Sequence, residues 1–336
     1  MTKNVKTAIQ TIVFLTIGIV LFYYAVGSEP IGDEIKNANV FWIGVSMLCG
    51  ILSHLARALR WNLLLQPMGY KASPWASFHA VILGYLVNMV LPRVGEITRP
   101  AVLSKVENIP FNKLVGTVVV ERVVDLLITF LIAIAIFFIQ FQIIADFFSN
   151  LFTDFDTENA VIYLGIAVVL LIGLFVVYKK RHWFYNLPII GKFQSFIEGL
   201  LDGMRTVFSL QQKGLFIFYS VFIWVMYFFM PFFVFYALDG TAHLGASAGL
   251  TVLLFGTAAM IVPIPGGVGT FEFMVPAALA LYQITPLVGK SYAIITHAIQ
   301  FMVIVGVGAF SIIYFIIKNQ KSKSDLNFSE RLFNST

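Results

Sequence analysis

Apolar stretches long enough to cross a lipid bilayer recur along this chain of 336 residues. A hydrocarbon core about 30 Å thick needs roughly 20 apolar helical residues, and the segments that approach this length are 7–26, 39–56, 114–139, 160–178, 214–237 and 291–317. Only 12% of the residues are charged and 59% are apolar, whereas soluble proteins carry about 25% charged residues. The sequence therefore predicts an all-α polytopic membrane protein. It excludes a nucleic-acid module, a disordered regulator and a disulfide scaffold.

Proline and glycine interrupt two further apolar regions, 75–107 and 245–284. Each region therefore predicts a pair of short helical segments instead of one continuous span. The breaks fall at Pro92 and Gly95 in the first region, and at Pro263, Pro265, Gly266, Gly267 and Gly269 in the second. Non-helical backbone is tolerated at membrane depth only where protein buries it or where it lines a wet cavity. We therefore expect a polar site at these two breaks.

The distribution of charge between the loops predicts the orientation of the chain. Residues 27–38 and 140–159 are predominantly acidic and the segments at Asp239 and Gln283 are assigned to the same external side, whereas both ends and the loops 57–71, 105–113 and 179–213 carry the lysine and arginine that cytoplasmic segments accumulate. We therefore expect a multi-pass protein of the cell (inner) membrane with both termini in the cytoplasm. Because 57–71 and 105–113 then lie on the same side, the first broken region must be a cytoplasmic re-entrant hairpin. The second must be a re-entrant hairpin from the external face.

The two halves of the chain then follow one pattern in opposite orientations, as an inverted repeat. The first repeat covers about 7–140 and the second about 160–317, within a single transmembrane domain at 1–317. Met89 to Pro92 and Met260 to Pro263 are a weak echo of each other at the two breaks. The first apolar segment also has features of a signal peptide, but its removal would destroy the symmetry, so we expect it to be retained.

Two further elements are predicted outside the repeated pattern. Apolar residues at spacings of three and four indicate an interfacial amphipathic helix at about 192–211. Residues 318–336 form a polar cytoplasmic tail.

Several polar and ionisable residues lie within the apolar regions, where ionisable side chains are costly and usually functional. The candidate substrate-binding residues are Asn88, Arg93, Glu96 and Arg99 in the first broken region, Glu121, Arg122 and Asp125 in the span 114–139, and Glu272 in the second broken region. Glu121 and Asp125 share one helical face. Because unpaired charges in hydrocarbon cost several kcal/mol each, we expect the charges of this span to meet Arg93 and Arg99. Two alternatives remain open: an ordinary solvated loop at the first break, and a charge cluster that is purely structural.

The second break also predicts a helix N-terminus inside the membrane. Thr270 is positioned to cap the segment that follows the glycines, with Glu272 in its first turn. The partial positive charge of such an N-terminus would face the midplane. Discontinuous helices in inverted repeats are typical of secondary transporters, so the pattern favours transport.

Four motifs together resemble the family of the lysylphosphatidylglycerol synthase transmembrane region, also called the flippase-like domain family, over about residues 7–317. The motifs are Arg57-x-x-Arg60-Trp61, Asn88-x-x-x-Pro92-Arg93-x-Gly95-Glu96-x-x-Arg99, Glu121-Arg122-x-x-Asp125 and Pro265-Gly266-Gly267-x-Gly269-x-x-Glu272. The resemblance implies paired re-entrant hairpins and a role in moving a charged phospholipid or other polar-headed lipid between leaflets. Longer family members carry a soluble aminoacyl-transferring domain, for which the tail 318–336 is too short. Enzymatic aminoacyl transfer is therefore not expected.

The leading hypothesis is a lipid translocase in which Arg93, Arg99 and Arg122 receive an anionic headgroup, because guanidinium groups bind phosphate through two parallel hydrogen bonds. The carboxylates would orient these arginines, or bind a cationic headgroup or a coupling proton. A membrane-embedded transferase acting on a lipid-linked substrate is the alternative, with a carboxylate as general base. A non-transporting accessory subunit is the third hypothesis.

The remaining expectations concern cofactors and partners. The sequence contains no Gly-x-x-x-x-Gly-Lys-Ser/Thr nucleotide loop, and its five histidines have no metal-ligand spacing. We therefore expect no cofactor and no metal. The expected partners are the membrane and a phospholipid or other polar-headed lipid, with a separately encoded lipid-modifying enzyme as a further candidate and no nucleic acid.

Overall fold

The computed structural model describes residues 16–27, 31–139, 207 and 209–333, with side chains as far as Lys318. Every regular element in this part of the chain is helical. The α-helices are α1 (Thr16–Val26), α2 (Gly32–Lys36), α3 (Val40–Leu65), α4 (Pro74–Asn88), α5 (Gly95–Glu107), α6 (Phe111–Ile139), α7 (Lys213–Phe235), α8 (Ala246–Ile261), α9 (Thr270–Ala280) and α10 (Pro286–Phe333). Short 3-10 turns follow α3 and α8, at Gln66–Met68 and Pro265–Gly267.

Four helices are long and apolar enough to cross a membrane: α3 with the turn that follows it, α6, α7, and α10 as far as Lys318. α1 and α8 are shorter apolar helices. An all-helical, multi-pass membrane protein is therefore confirmed. The total of six full spans stays a prediction, because 160–178 lies outside the described residues, as does most of the amphipathic helix at 192–211.

α3 is longer than the predicted span 39–56, and this difference changes the position of two charges. The helix continues to Leu65, so Arg57 and Arg60 lie inside it and not in a cytoplasmic loop. Both residues are buried, with 2% and 0% of their surface exposed. Apolar residues continue on both sides of the two arginines, which keeps this part of the helix in the protein interior.

The helix contacts occur in matching pairs around the interface of α3 with α7, the most extensive in the structure. α3 packs on α4 as α7 packs on α8, and α5 packs on α6 as α9 packs on α10. α4 contacts α10 as α8 contacts α6. Two structurally related halves would produce this correspondence, and the predicted repeat boundaries are compatible with it.

The first broken region forms the predicted pair of short helices, α4 and α5. The two backbones approach closely at Gly84 and Gly95, where a Cβ on Gly95 would lie 1.8 Å from the Gly84 carbonyl oxygen. The Gly95 amide donates a hydrogen bond to Asn88 Oδ1 at 2.7 Å. Gly95 is thus required for close helix packing and not for the turn itself. The positive φ of 65° in the connection 89–94 belongs to Arg93.

The second broken region forms the pair α8 and α9, joined by the connection 262–269. Gly266, Gly267 and Gly269 have φ values of 60°, 74° and 85°, which favour glycine. The prediction that Thr270 caps α9 is wrong, because its hydroxyl donates to the carbonyl oxygens of Ala259 and Gly267. Glu272 supplies the cap instead.

Candidate functional site

Three arginines and two carboxylates from three helices meet in the protein interior. Arg57 and Arg60 lie on α3, Arg99 lies on α5, and Glu121 and Asp125 lie four residues apart on one face of α6. At most 8% of each residue is exposed. These five residues are called the buried cluster below.

Asp125 binds both arginines of α3. Arg57 Nη1 donates to Asp125 Oδ2 at 2.8 Å, and Arg60 Nη2 lies 2.8 Å from Oδ1. Arg57 also donates to the Tyr227 hydroxyl at 3.0 Å, and Arg60 to Ser220 Oγ at 3.3 Å. Since Tyr227 and Ser220 belong to α7, these polar contacts link α3, α6 and α7.

Glu121 links α5 to the same site. Its carboxylate forms an ion pair with Arg99, and its second oxygen lies 3.6 Å from Arg60 Nη2. The Arg99 guanidinium carbon lies 4.8 Å from the centre of the Trp61 ring, a cation–π contact. Trp61 Nε1 in turn donates to Thr117 Oγ1 at 2.7 Å. One buried ion pair and one aromatic ring therefore add to the packing of α5 on α4.

The buried cluster carries a formal excess of one positive charge, since three guanidinium groups face two carboxylates. Within the described residues, the Nε atoms of Arg57, Arg60 and Arg99 are buried and have no hydrogen-bond partner. Burying an uncompensated charge costs several kcal/mol. Guanidinium groups with unused donors are suited to phosphate or carboxylate oxygens. The cluster is thus a positively charged region of the interior with unused hydrogen-bonding atoms.

A small pocket lies beside the buried cluster, where α4 and α5 approach α6. Its volume of about 10 Å³ holds roughly one water molecule. Its lining residues are Val81, Tyr85, Asn88, Gly95, Glu96, Arg99 and Arg122. Arg122 Nε lies 3.1 Å from Glu96 Oε1, and 39% and 38% of these two side chains are exposed. Arg99 therefore belongs to the buried cluster and also lines the pocket that contains this half-exposed ion pair.

A larger cavity of about 330 Å³ lies between the ends of α3, α4 and α7. Asn62, Gln66, Lys71, Gln212 and Tyr219 supply its polar lining. None of the predicted site residues lines it. The charged chemistry of the described residues is therefore concentrated at the buried cluster and not in this larger space.

Arg93 lies apart from the buried cluster. Its Nη2 donates to the carbonyl oxygen of Ile261, the last residue of α8, at 3.1 Å. The predicted contact of the α6 charges with Arg93 is therefore wrong, whereas the predicted contact with Arg99 is present at Glu121, and Arg57 and Arg60 complete the ion pairs. The first connection thus contacts the end of the second helix pair, and Arg93 supplies a donor to a helix C-terminus that lacks one.

Glu272 occupies a second buried polar site, at the start of α9. Its Oε2 accepts from the Gly269 amide at 2.7 Å, and its Oε1 lies 2.5 Å from His297 Nδ1 on α10. His297 Nε2 lies 2.9 Å from the carbonyl oxygen of Gly266. The predicted residues therefore separate into three places: the buried cluster with its pocket, Arg93 at the first connection, and Glu272 at the second.

Sequence reasoning missed Arg57 and Arg60 as members of the site, and it missed Tyr227 and His297 altogether. The signal for the two arginines was the apolar pattern that continues to Leu65. Within the described residues, no group of three or more His, Cys, Asp or Glu side chains could hold a metal ion.

Comparison with known protein families gives a match over most of the chain. The family model described as the lysylphosphatidylglycerol synthase TM region matches residues 9–308. This range includes every residue of the buried cluster, both connections and His297.

Two curated proteins are similar to the chain. A UPF0104 membrane protein of Methanocaldococcus jannaschii is 32% identical over 145 residues, which are 42% of this chain and 41% of that protein. A protein named glycosyltransferase AglD, from Haloferax volcanii, is 22% identical over 342 residues, which cover 90% of this chain and 54% of that protein. The chain therefore spans about half the length, or less, of these relatives. No solved structure matches it significantly.

Proposed function

Because the chain belongs to the family of the lysylphosphatidylglycerol synthase transmembrane region, we propose that it is a translocase that moves an anionic, polar-headed lipid between membrane leaflets. The buried cluster and its pocket receive the headgroup. Arg99 and Arg122 bind its phosphate, while the acyl chains stay in the surrounding lipid.

The excess positive charge of the buried cluster carries this proposal. A headgroup with one negative charge would compensate the third guanidinium, and its oxygens would accept from donors that have no partner among the described residues. Charge-assisted hydrogen bonds are about twice as strong as neutral ones. A purely structural cluster would instead be expected to balance its charges internally.

The lipid headgroup enters the pocket at the half-exposed ion pair of Arg122 and Glu96. A pocket with room for about one water molecule is too small for a headgroup, so translocation requires α4 and α5 to move away from α6. Opening separates Arg122 from Glu96 and frees both to contact the lipid. It also breaks the hydrogen bond between Arg93 and the carbonyl oxygen of Ile261, the contact between the first connection and the end of α8.

The membrane arrangement belongs to the same proposal. Both termini lie in the cytoplasm, the membrane is the cell (inner) membrane, and each helix pair enters and leaves it by one face. The matching helix contacts support two related halves, and their opposite orientation follows from the distribution of charge between the loops.

Labelling of introduced cysteines tests this topology. In a Cys49→Ala background, we expect Lys71→Cys and Lys105→Cys to react with an impermeant thiol reagent only after lysis, since both flank the α4–α5 pair on the cytoplasmic side. Asp239→Cys and Thr285→Cys, which flank the α8–α9 pair, should react in intact cells. All four positions are exposed. Labelling of Lys71→Cys and Lys105→Cys from opposite sides would contradict a re-entrant first pair.

A transferase acting on a lipid-linked substrate is the second candidate, favoured by the name of the Haloferax relative, a glycosyltransferase. Such an enzyme needs a carboxylate that is free to act as a base. Glu121 and Asp125 are instead held in ion pairs with arginine. This difference favours translocation over transfer.

Reconstitution tests the translocase. In liposomes that contain the purified protein, labelled phosphatidylglycerol is expected to move between leaflets faster than labelled phosphatidylcholine. We expect Arg122→Gln to slow phosphatidylglycerol about tenfold, because a charge-assisted bond to the headgroup contributes about 1.5–3 kcal/mol. Lys36→Gln removes the same charge from a side chain that is 78% exposed on α2 and should leave the rate unchanged.

Four other results would each reject this interpretation. Equal rates for the two lipids would mean that the excess charge does not select the headgroup. Equal rates for wild type and Arg122→Gln would mean that the pocket does not bind it. Turnover of a lipid-linked sugar by the same liposomes, without lipid movement, would establish the transferase instead. Neither movement nor turnover would indicate an accessory subunit.

A further inference from the structure

The second connection is held by a buried acid and a buried histidine. Only 5% of Glu272 and 4% of His297 are exposed. Glu272 accepts from the Gly269 amide and contacts His297 Nδ1, while His297 Nε2 contacts the Gly266 carbonyl oxygen. The two side chains therefore bridge both ends of the glycine segment, 266–269, to α9 and α10.

The hydrogen-bond partners determine how many protons this pair holds. A carbonyl oxygen can only accept, so His297 Nε2 must carry a hydrogen to bind Gly266. The distance of 2.5 Å between His297 Nδ1 and Glu272 Oε1 then requires one more hydrogen between these atoms. It lies either on the imidazole, as imidazolium with carboxylate, or on the acid, as neutral imidazole with carboxylic acid. Both forms are neutral overall and contain the same number of protons.

We infer that Glu272 and His297 form a proton-binding site whose single dissociable proton is the coupling ion of the translocase. This inference rests on the proposed function, because coupling requires a transported lipid. A lipid with one negative charge that moves together with one proton crosses the membrane without net charge. A pH difference can therefore drive its movement.

Loss of the proton changes the hydrogen bonds of the second connection. If Nε2 keeps its hydrogen, two lone pairs face each other across 2.5 Å, and the buried pair carries a net negative charge. If the remaining hydrogen moves to Nδ1, the bond to Gly266 is lost. Either way one contact of His297 breaks: in the first case its contact with Glu272, and in the second its bond to Gly266, a residue with φ of 60°. Proton release is thereby coupled to the conformation of α8 and α9.

Aromatic rings pack against the imidazole of His297. The rings of Phe271 and Phe301 lie 4.7 and 4.8 Å from the imidazole. α1 and α8 contain no charged residue or histidine, and the only one in α9 is Glu272. The other helices around α8 and α10 do carry charged and histidine side chains that have partners in the structure. On these helices they are Asp33, Lys36, His54, Arg57, Arg60, His79, Glu96, Arg99, Glu107, Glu121, Arg122 and Asp125. On α10 itself they are Lys290 and Lys318, and Arg93 lies in the first connection.

The alternative is a pair that only holds the connection in place, and equilibrium distributions distinguish the two. With a pH difference of one unit across the liposome, one proton per lipid should shift the leaflet ratio of labelled phosphatidylglycerol about tenfold. Glu272→Gln keeps an acceptor for Gly269 and a donor for Nδ1 but has no dissociable proton. We expect this variant to show no shift. Glu107→Gln makes the same change at the ion pair with Lys318 and should keep the full shift.

Infrared difference spectroscopy between acid and alkaline pH follows the same proton without any transport. A carboxyl or imidazole band is expected in wild type and Glu107→Gln. It should be absent from Glu272→Gln, which has no carboxyl at this site, and displaced in His297→Gln, which keeps the Glu272 carboxyl without its imidazole partner. Identical spectra in all four proteins would overturn the proton site. Lipid movement in wild type that ignores the pH difference would overturn coupling but leave the translocase intact. No lipid movement in wild type, with the band present, would reject the translocase and coupling but retain the proton site.

Discussion

Replacement of Gly95 by alanine is expected to separate α4 from α5 and abolish most activity. The new Cβ would lie 1.8 Å from the Gly84 carbonyl oxygen and 2.7 Å from Asn88 Oδ1. The first of these atoms belongs to the backbone of a packed helix, so no side-chain rotation relieves the contact. Overpacking costs about 1–3 kcal/mol and occasionally more, and we expect this variant to lose about 3 kcal/mol.

The same displacement moves the site residues, since Glu96 and Arg99 follow Gly95 on α5. We therefore expect phosphatidylglycerol transport to fall by more than about tenfold, because a displacement of about 1 Å can cost a factor of about a hundred in rate. Thermal unfolding of the purified protein in detergent measures the first effect, and the liposome assay measures the second.

Gly116→Ala is the matched control. Gly116 lies inside α6, and a Cβ there meets nothing within 4 Å among the described residues. Alanine is favoured over glycine in a helix by about 1 kcal/mol, so this variant should be as stable as wild type or slightly more stable. If Gly95→Ala unfolded at the same temperature as Gly116→Ala, the close approach of α4 and α5 would be wrong.

The class of protein and the position of both breaks were accessible from the sequence because they depend on local properties. Apolar length determines which segments can span a membrane. Proline and glycine that occur close together, as at both breaks, disrupt a helix, whereas the single prolines Pro100, Pro231 and Pro276 lie inside helices. The pairs α4–α5 and α8–α9 accordingly lie within the predicted broken regions 75–107 and 245–284.

The pairing of charges was less accessible, because it depends on which helices are neighbours. Arg57 and Arg60 were assigned to a loop, since arginine near the end of an apolar segment usually marks the cytoplasmic side. Their burial depends on carboxylates of α6 that are more than 60 residues away in sequence, as the separation of 68 residues between Arg57 and Asp125 illustrates. No local pattern contains that information.

His297 was missed for a related reason. It is a single histidine in a long apolar helix, which sequence alone does not distinguish from a core residue. Its partner Glu272 was identified, but from its position after the glycines and not from any expected contact with α10. The separation of 25 residues becomes a contact only because α9 packs on α10.

Removal of a carboxylate from the buried cluster is expected to be far more damaging than removal of an arginine. Asp125→Asn raises the formal excess from one to two positive charges and leaves Arg57 and Arg60 without their shared anion. Loss of one partner of a buried ion pair costs about 3–5 kcal/mol. Arg57→Gln instead brings the cluster to neutrality, so we expect it to lower the free energy of unfolding clearly less. Most of that decrease should come from the lost hydrogen bond to the Tyr227 hydroxyl. Thermal unfolding of the two variants measures the difference.

Asp33→Asn is the control for loss of an acid, because Asp33 pairs with Lys36 on an exposed face, where an ion pair contributes about 0–1 kcal/mol.

The excess charge also predicts a lipid effect. Added phosphatidylglycerol should raise the unfolding temperature of Asp125→Asn more than that of wild type, and that of Arg57→Gln less, while phosphatidylcholine should not distinguish the three. Equal stabilisation of all three proteins by phosphatidylglycerol would mean that the anion does not bind at the buried cluster. The cluster would then be a structural ion-pair network, and the headgroup site would have to be sought elsewhere in the chain.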